Sequence, residues 1–153
     1  MRFENQARVR AGLETLWDFM MDIPQVSTCI PGVEQVRAVD PDRYVGMMRV
    51  RVGPVALRFE GEMTITERDK ANWRATMKAG GSDRQTAGAV RATMVMELRQ
   101  VSGNETDLVV VTDANVLGKL GEFGQPVMRK KADSIMKEFA LNVSKRVGDV
   151  QPA

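Results

Sequence analysis

The stretch RFENQARVR alternates along its length. Phe3, Asn5, Ala7 and Val9 share one face, and Arg2, Glu4, Gln6 and Arg8 share the other. That period predicts a strand. In GLETLWDFMMD the period lengthens: Leu13, Leu16, Trp17 and Met20 fall at helical spacing, the apolar stripe of an amphipathic helix. IPQVSTCIPG adds a short helical turn stopped by Pro31-Gly32, a strong turn signal. Strands then follow in series. Tyr44, Gly46, Met48, Val50 and Val52 share a face, with Arg49 and Arg51 opposite. Beyond a turn at Gly53-Pro54, Leu57, Phe59, Gly61, Met63 and Ile65 share a face, with Arg58, Glu60, Glu62 and Thr64 opposite. Trp73, Ala75 and Met77 continue the pattern, as do Ala92, Met94, Met96 and Leu98, and TDLVVVTDANV closes it. One-sided alternation with short connections predicts an antiparallel sheet of about six or seven strands.

From Leu117 the helical period returns. Leu120, Phe123, Val127, Ile135, Met136, Phe139 and Val143 form the apolar positions, and Arg129, Lys130, Lys137, Glu138 and Lys145 lie off them. A curved antiparallel sheet wrapped around one long C-terminal helix buries both apolar faces at once. The expected fold is therefore α+β, one domain over residues 1–153, with two short helices after the first strand.

Composition changes this picture in three ways. The 22 basic and 20 acidic residues leave a formal charge of only +2, which excludes the strongly basic class of nucleic-acid binders. MRFENQARVR has no apolar leader core, no apolar run approaches a membrane span, and Cys29 stands alone; these point to the cytoplasm. The chain has no histidine, which removes the commonest general base and metal ligand. Cys29 reads as a buried structural thiol, Asp18 and Asp22 as a solvated helix face, and the Arg49/Arg51 and Glu60/Glu62 rows as cross-strand ion pairs. No catalytic residue and no metal cluster is predicted.

The stretch VLGKLGEFGQPVMRKK, residues 116–131, superficially suggests a phosphate loop. Its spacing is wrong for one: Lys119 directly follows Gly118 with no Ser or Thr after it, and no parallel strand follows the helix. As a helix start it carries Gly118, Gly121 and Gly124, each costing about 1 kcal/mol relative to alanine. Pro126 adds a lost hydrogen bond and a clash with the carbonyl of Glu122. The expectation is a kinked, thinned segment in which Gly118, Gly121, Gly124 and Pro126 act as a gate over the sheet. The basic run Met128-Arg129-Lys130-Lys131, with Lys137, Lys145 and Arg146, makes the outer helix face suited to anionic lipid or an acidic partner.

Eleven methionines stand against five Phe, two Trp and one Tyr. Met48, Met63, Met77, Met94 and Met96 fall on inward faces beside small residues (Gly46, Gly61, Ala75, Ala92). Methionine suits irregular, adaptable apolar space, so either a packed core or a lined apolar pocket follows.

The segments LWDFMMDIPQVSTCIPGVEQV, YVGMMRVRVGPVALRFEGEMTITERD and DANVLGKLGEFGQPVMRKKADSIMKEFALNV resemble the carbon monoxide dehydrogenase G-subunit family of the START-like SRPBCC superfamily. The most specific pieces are Cys29-Ile30-Pro31-Gly32-Val33, Val52-Gly53-Pro54-Val55, Gly118-Lys119-Leu120 and Phe123-Gly124-Gln125. The resemblance implies a helix-grip fold with a deep apolar cavity and a non-catalytic accessory protein without a tightly bound cofactor. It also implies a lipophilic ligand such as a quinone or lipid, and association with a molybdenum hydroxylase at the inner face of the membrane. The implied ligand-binding residues are Met48, Phe59, Met63, Met77, Met94, Met96, Leu120, Phe123 and Val127. Some relatives carry a further tail after the helix, where this chain closes with VGDVQPA. The same fold hosts cyclases and hydrolases, so a small-molecule enzyme and an assembly factor with a filled core are the alternatives.

Overall fold

In a computed structural model that describes residues 1–148, the alternating segments pair into one seven-stranded antiparallel sheet. Residues 149–153, most of VGDVQPA, lie outside the described residues. The strands are β1 (Arg2–Val9), β2 (Val33–Asp40), β3 (Arg43–Val52), β4 (Val55–Asp69), β5 (Arg74–Asp83), β6 (Gly88–Ser102) and β7 (Glu105–Leu117). Their spatial order is β1-β7-β6-β5-β4-β3-β2. Helices α1 (Leu13–Met21) and α2 (Ile23–Val26), the latter extended by a 3₁₀ turn to Cys29, connect β1 to β2. The long helix α3 (Gly124–Val143) follows β7 and runs on into a π turn, Ser144–Gly148.

The apolar periods explain most of these elements. Leu16, Trp17 and Met20 of α1 are buried as their spacing requires. Asp22 belongs to no solvated pair with Asp18: its carboxylate accepts the Gln25 backbone N–H and caps α2, as an N-cap aspartate does. Cys29 is buried, as expected of a structural thiol.

Three expectations need correction. First, β2 was not legible in the alternation. It is an edge strand, largely exposed, and its register shifts around Gln35, which has φ 56°. A bulge of this kind interrupts the period of two on which the reading depends. Second, the Arg49 and Glu60 rows do not face one another. The Val52–Val55 hairpin register sets Arg49 opposite Arg58 and Met47 opposite Glu60. Arg49 pairs instead with Glu34 of β2 at 3.3 Å, and Arg43 pairs with Glu62 at 3.5 Å. Third, Trp73 is not in a strand. It takes a left-handed conformation after the 3₁₀ turn Lys70–Asn72. Its ring still packs edge-on against Trp17 at 5.9 Å, a geometry worth about 0.5–1.5 kcal/mol beyond area burial.

Two buried clusters close the two ends of the inner sheet face. The larger gathers Leu16, Trp17, Ile65, Met96, Leu108 and Phe139 with their neighbours, joining α1, α2 and the C-terminal half of α3 to the sheet. The smaller holds Val52, Leu57, Phe59 and Leu120, with Phe123 and Met128 packed on it.

Helix α3 lies along β1. Gln125 Nε2 donates to the Arg2 carbonyl at 2.8 Å near its start, and Ser144 Oγ accepts the Arg10 N–H at 3.2 Å at its far end. Between them the Asn5 amide donates to the Asp133 carboxylate. These contacts satisfy part of the exposed edge of β1, which would otherwise invite pairing with another strand.

Candidate functional site

The segment after β7 is built differently from the expected kinked helix. β7 runs through Leu117, a 3₁₀ turn covers Lys119–Phe123, and α3 begins at Gly124. Gly118 and Gly124 bracket the turn with φ of 80° and 79°. Such angles are open to glycine and costly for other residues. Pro126 therefore lies in the first turn of α3, where backbone N–H groups have no partner within the helix anyway. It removes nothing and produces no kink of the expected kind. Periodicity alone could not separate a glycine-bearing helix from two glycine-bounded turns.

The turn covers one end of the inner face. Leu120 points down into the smaller cluster and is 2% exposed. Phe123 is half-buried on the same cluster. A Cβ at Gly118 would lie 2.8 Å from Gly88 Cα, and one at Gly53 would lie 3.7 Å from the Phe123 ring. The β3–β4 hairpin, the β5–β6 turn and residues 118–123 therefore meet at one end of the molecule. Lys119 is exposed there.

Between the clusters the inner face is only partly covered. The register aligns Tyr44, Met63, Ala79, Ala92 and Ala114 in one row across five strands, and Ile65, Met77, Met94, Thr112 and Phe3 in the next. Met48, Met63, Met77, Ala79, Ala92, Met94 and Thr112 are half-buried. The contrast within β6 is direct. Met96 is 0% exposed inside the larger cluster, whereas Met94, two residues away on the same face, is half-buried and belongs to neither cluster. Met48 on β3 also lies outside both clusters. Gly46 and Gly61 face each other beside it without side chains.

The nine residues singled out in the sequence thus separate into groups. Met96 is sealed in the larger cluster, and Phe59 and Leu120 are sealed in the smaller one. Met63 and Met77 pack at the rim of the larger cluster and Phe123 at that of the smaller. Met48 and Met94 line the half-covered band between. Val127 turns away from the inner face and is 42% exposed, because α3 starts at Gly124 and its stripe is set by Phe139, Ala140 and Val143.

Two surface grooves accompany this band. One, of about 810 Å³, runs between β1 and α3 past Ala7, Met136, Ala140 and Leu141. The other, of about 1090 Å³, crosses the outer sheet face and is lined by charged groups including Glu60, Glu62, Lys78 and Arg91.

The buried polar side chains of the described residues are Asn5, Ser27, Asp83 and Thr106. Asp83 is the one carboxylate of that set, and backbone amides occupy it. It accepts the N–H groups of Arg58 at 2.7 Å, Gln85 at 2.8 Å and Thr86 at 3.2 Å. The Arg58 amide first, then those of Thr86 and Gln85, holds its pKa below the ordinary carboxylate value. Its work is to tie the β5–β6 turn to β4. On the outer face the Arg8 guanidinium, 3.0 Å from Asp107, likewise holds that carboxyl below its usual range. No group of three or more His, Cys, Asp or Glu side chains suited to a metal occurs among the described residues.

A sequence model of the family described as the carbon monoxide dehydrogenase G subunit (CoxG) matches residues 6–148. The chain belongs to that family. Solved structures agree on the fold. A conserved protein from Geobacillus kaustophilus superposes with a TM-score of 0.87 at 19% identity, covering 97% of this chain and 96% of its own. A START superfamily protein from Mycobacterium smegmatis gives a TM-score of 0.70 at 12% identity, covering 98% and 99%. The aromatase/cyclase Zhui from Streptomyces sp. R1128 gives 0.59 at 14% identity, covering 97% and 92%. No match was found among curated protein sequences. The CoxG chain is therefore a START-like helix-grip protein, as the strand and helix order predicted. At these identities the structural neighbours speak for the fold alone, and the fold accommodates both binding proteins and enzymes. No helix among the described residues is long and apolar enough to cross a membrane.

Proposed function

We propose that this CoxG chain is a non-catalytic binding subunit. It holds a lipophilic, quinone- or lipid-like molecule between the sheet and α3. In doing so it connects a carbon monoxide dehydrogenase-type molybdenum hydroxylase to the inner face of the membrane. The observation that carries the reading is the half-covered band around Met48 and Met94, framed by two sealed clusters. Its wall is apolar, bears flexible thioethers, and has glycines or alanines where bulk would fill it, as pockets for apolar ligands do. Residues 118–124, closed by Leu120 and bounded by two left-handed glycines, form the movable cover of that space.

The family match supports the accessory role. The enzyme alternative needs an inward acid or base, and Asp83, the buried carboxylate of the described residues, is spent on three backbone amides. The test is native mass spectrometry of protein purified without detergent. An adduct of one apolar molecule per chain is expected, displaceable by added quinone. Protein that stays free of adduct and fails to bind any quinone or lipid refutes the reading.

A further inference from the structure

Charge is distributed unevenly over this molecule. The β3–β4 hairpin (residues 51–56), the β5–β6 turn (84–87) and the segment 117–131 come together at one end. They carry six basic residues, Arg51, Arg84, Lys119, Arg129, Lys130 and Lys131, against one acidic residue, Glu122. The whole chain has a net charge of +2, so everything outside this end is net negative. None of the six takes part in an ion pair among the described residues. Basic groups elsewhere do: Arg8 with Asp107, Lys70 with Glu14, Arg99 with Glu97.

The position of the run Arg129–Lys131 is unfavourable for the helix itself. It lies in the second turn of α3, close to the positive end of the helix dipole, where cations are disfavoured. Helix stability therefore does not account for three cations there, but an external anionic surface does. Apolar side chains stand among the same charges. Leu117 is 65% exposed and Val127 42% exposed, and Pro54, Ala87 and Pro126 are also exposed. Basic side chains with aliphatic stems around protruding apolar tips match the interfacial zone of a bilayer, where tips enter the acyl boundary and cations meet headgroups.

We propose that this end is a docking face for a bilayer containing anionic lipids. The exposed apolar groups sit on separate loop tips, which a fluid headgroup layer accommodates. A folded protein partner needs one continuous complementary surface instead, typically of about 1,000 Å² or more. The inference rests on the ligand-binding reading above and deepens it, because the docking face includes the Lys119–Phe123 cover. A lipophilic molecule leaving the bilayer would then meet the protein at that cover.

The experiment is co-sedimentation of the full chain with vesicles of phosphatidylcholine alone, or of phosphatidylcholine mixed with phosphatidylglycerol. Binding to the mixed vesicles only is expected, and it weakens with added salt because the contacts are exposed. The triple variant Arg84→Ser/Lys119→Ser/Lys130→Ser lowers the partition coefficient roughly 100-fold, about fivefold per removed charge. Leu117→Ser lowers it with little change in salt dependence, and Lys78→Ser on the outer sheet face leaves it unchanged. Melting curves of each variant establish that it is folded. Equal binding to neutral vesicles, no binding to either, or a triple variant that binds like wild type overturns the proposal. Adduct analysis of the same preparations separates the two readings. Empty protein that docks on anionic vesicles sinks the ligand reading alone. Ligand-loaded protein that ignores vesicles sinks the docking face alone.

Discussion

A methyl group at Gly118 has nowhere to go. The residue has φ 80° and ψ −158°, a region essentially reserved for glycine and costing other residues about 1–3 kcal/mol. The added carbon would lie 2.8 Å from Gly88 Cα and 3.0 Å from the Ala87 carbonyl oxygen, both backbone atoms. Relief requires moving the β5–β6 turn, which Asp83 holds through three amides. Strain and displacement together place the cost of Gly118→Ala at about 2–4 kcal/mol. For a chain of this size that corresponds to a fall in Tm of roughly 5–15 °C. Urea unfolding followed by tryptophan fluorescence, with calorimetry, measures both. The control is Gly103→Ala, where the new methyl meets nothing within 4 Å. There the expected change is within about 0.5 kcal/mol, or a small gain from a less flexible unfolded chain. A Gly118→Ala variant within about 0.5 kcal/mol of wild type would refute the reasoning, as would an equal loss in the control.

Other expectations follow from the same contacts. Leu120→Ala opens the smaller cluster and costs about 2–5 kcal/mol by urea unfolding; a change below about 1 kcal/mol would mean the cover is not seated as described. Met94→Phe separates open space from filled core. In a half-empty band the ring fits with little loss of stability and lowers the recovered apolar adduct, whereas in a filled core it costs about 1–3 kcal/mol. Asp83→Asn bears on acid stability. The folded-state pKa of Asp83 is depressed below 3.8 by backbone amides, that of Arg58 first. Its contribution is therefore present above that value and lost as the pH falls through the lower folded value. Wild type should lose stability below about pH 4 more steeply than Asp83→Asn in denaturation series at successive pH values; identical acid limbs would exclude the role.

Much of the architecture was legible because alternation reports directly which side of a strand meets the core. The faces of β3, β4 and β6 were assigned correctly from Tyr44 to Leu98, and Trp17 on α1 was placed on its buried side. β2 escaped because a bulged, exposed edge strand has little burial to report. The Arg49–Glu34 pair escaped because partner choice depends on register, which the hairpin at Gly53 sets and composition does not. For the site, the methionines facing inward could be listed from the sequence, but not ranked. Met94 and Met96 have the same local pattern, and only the packing of α1 and the far half of α3 separates them.

The stretch from Val116 to Lys131 shows the division most clearly. Its sequence alone excluded a phosphate loop, since glycine spacing and the lack of a following parallel strand are local facts. It also established that the chain must leave β7 through glycines and enter a helix carrying basic residues. Whether those glycines lie inside a bent helix or bound a separate cover was decided by tertiary contacts. Gly118 is pressed against Gly88, Leu120 is drawn into the cluster of Val52, Leu57 and Phe59, and α3 is held back to start at Gly124. Periodicity describes how residues repeat along the chain. The strands that surround this segment determine where the helix can begin, and those contacts come from residues about thirty or more positions away.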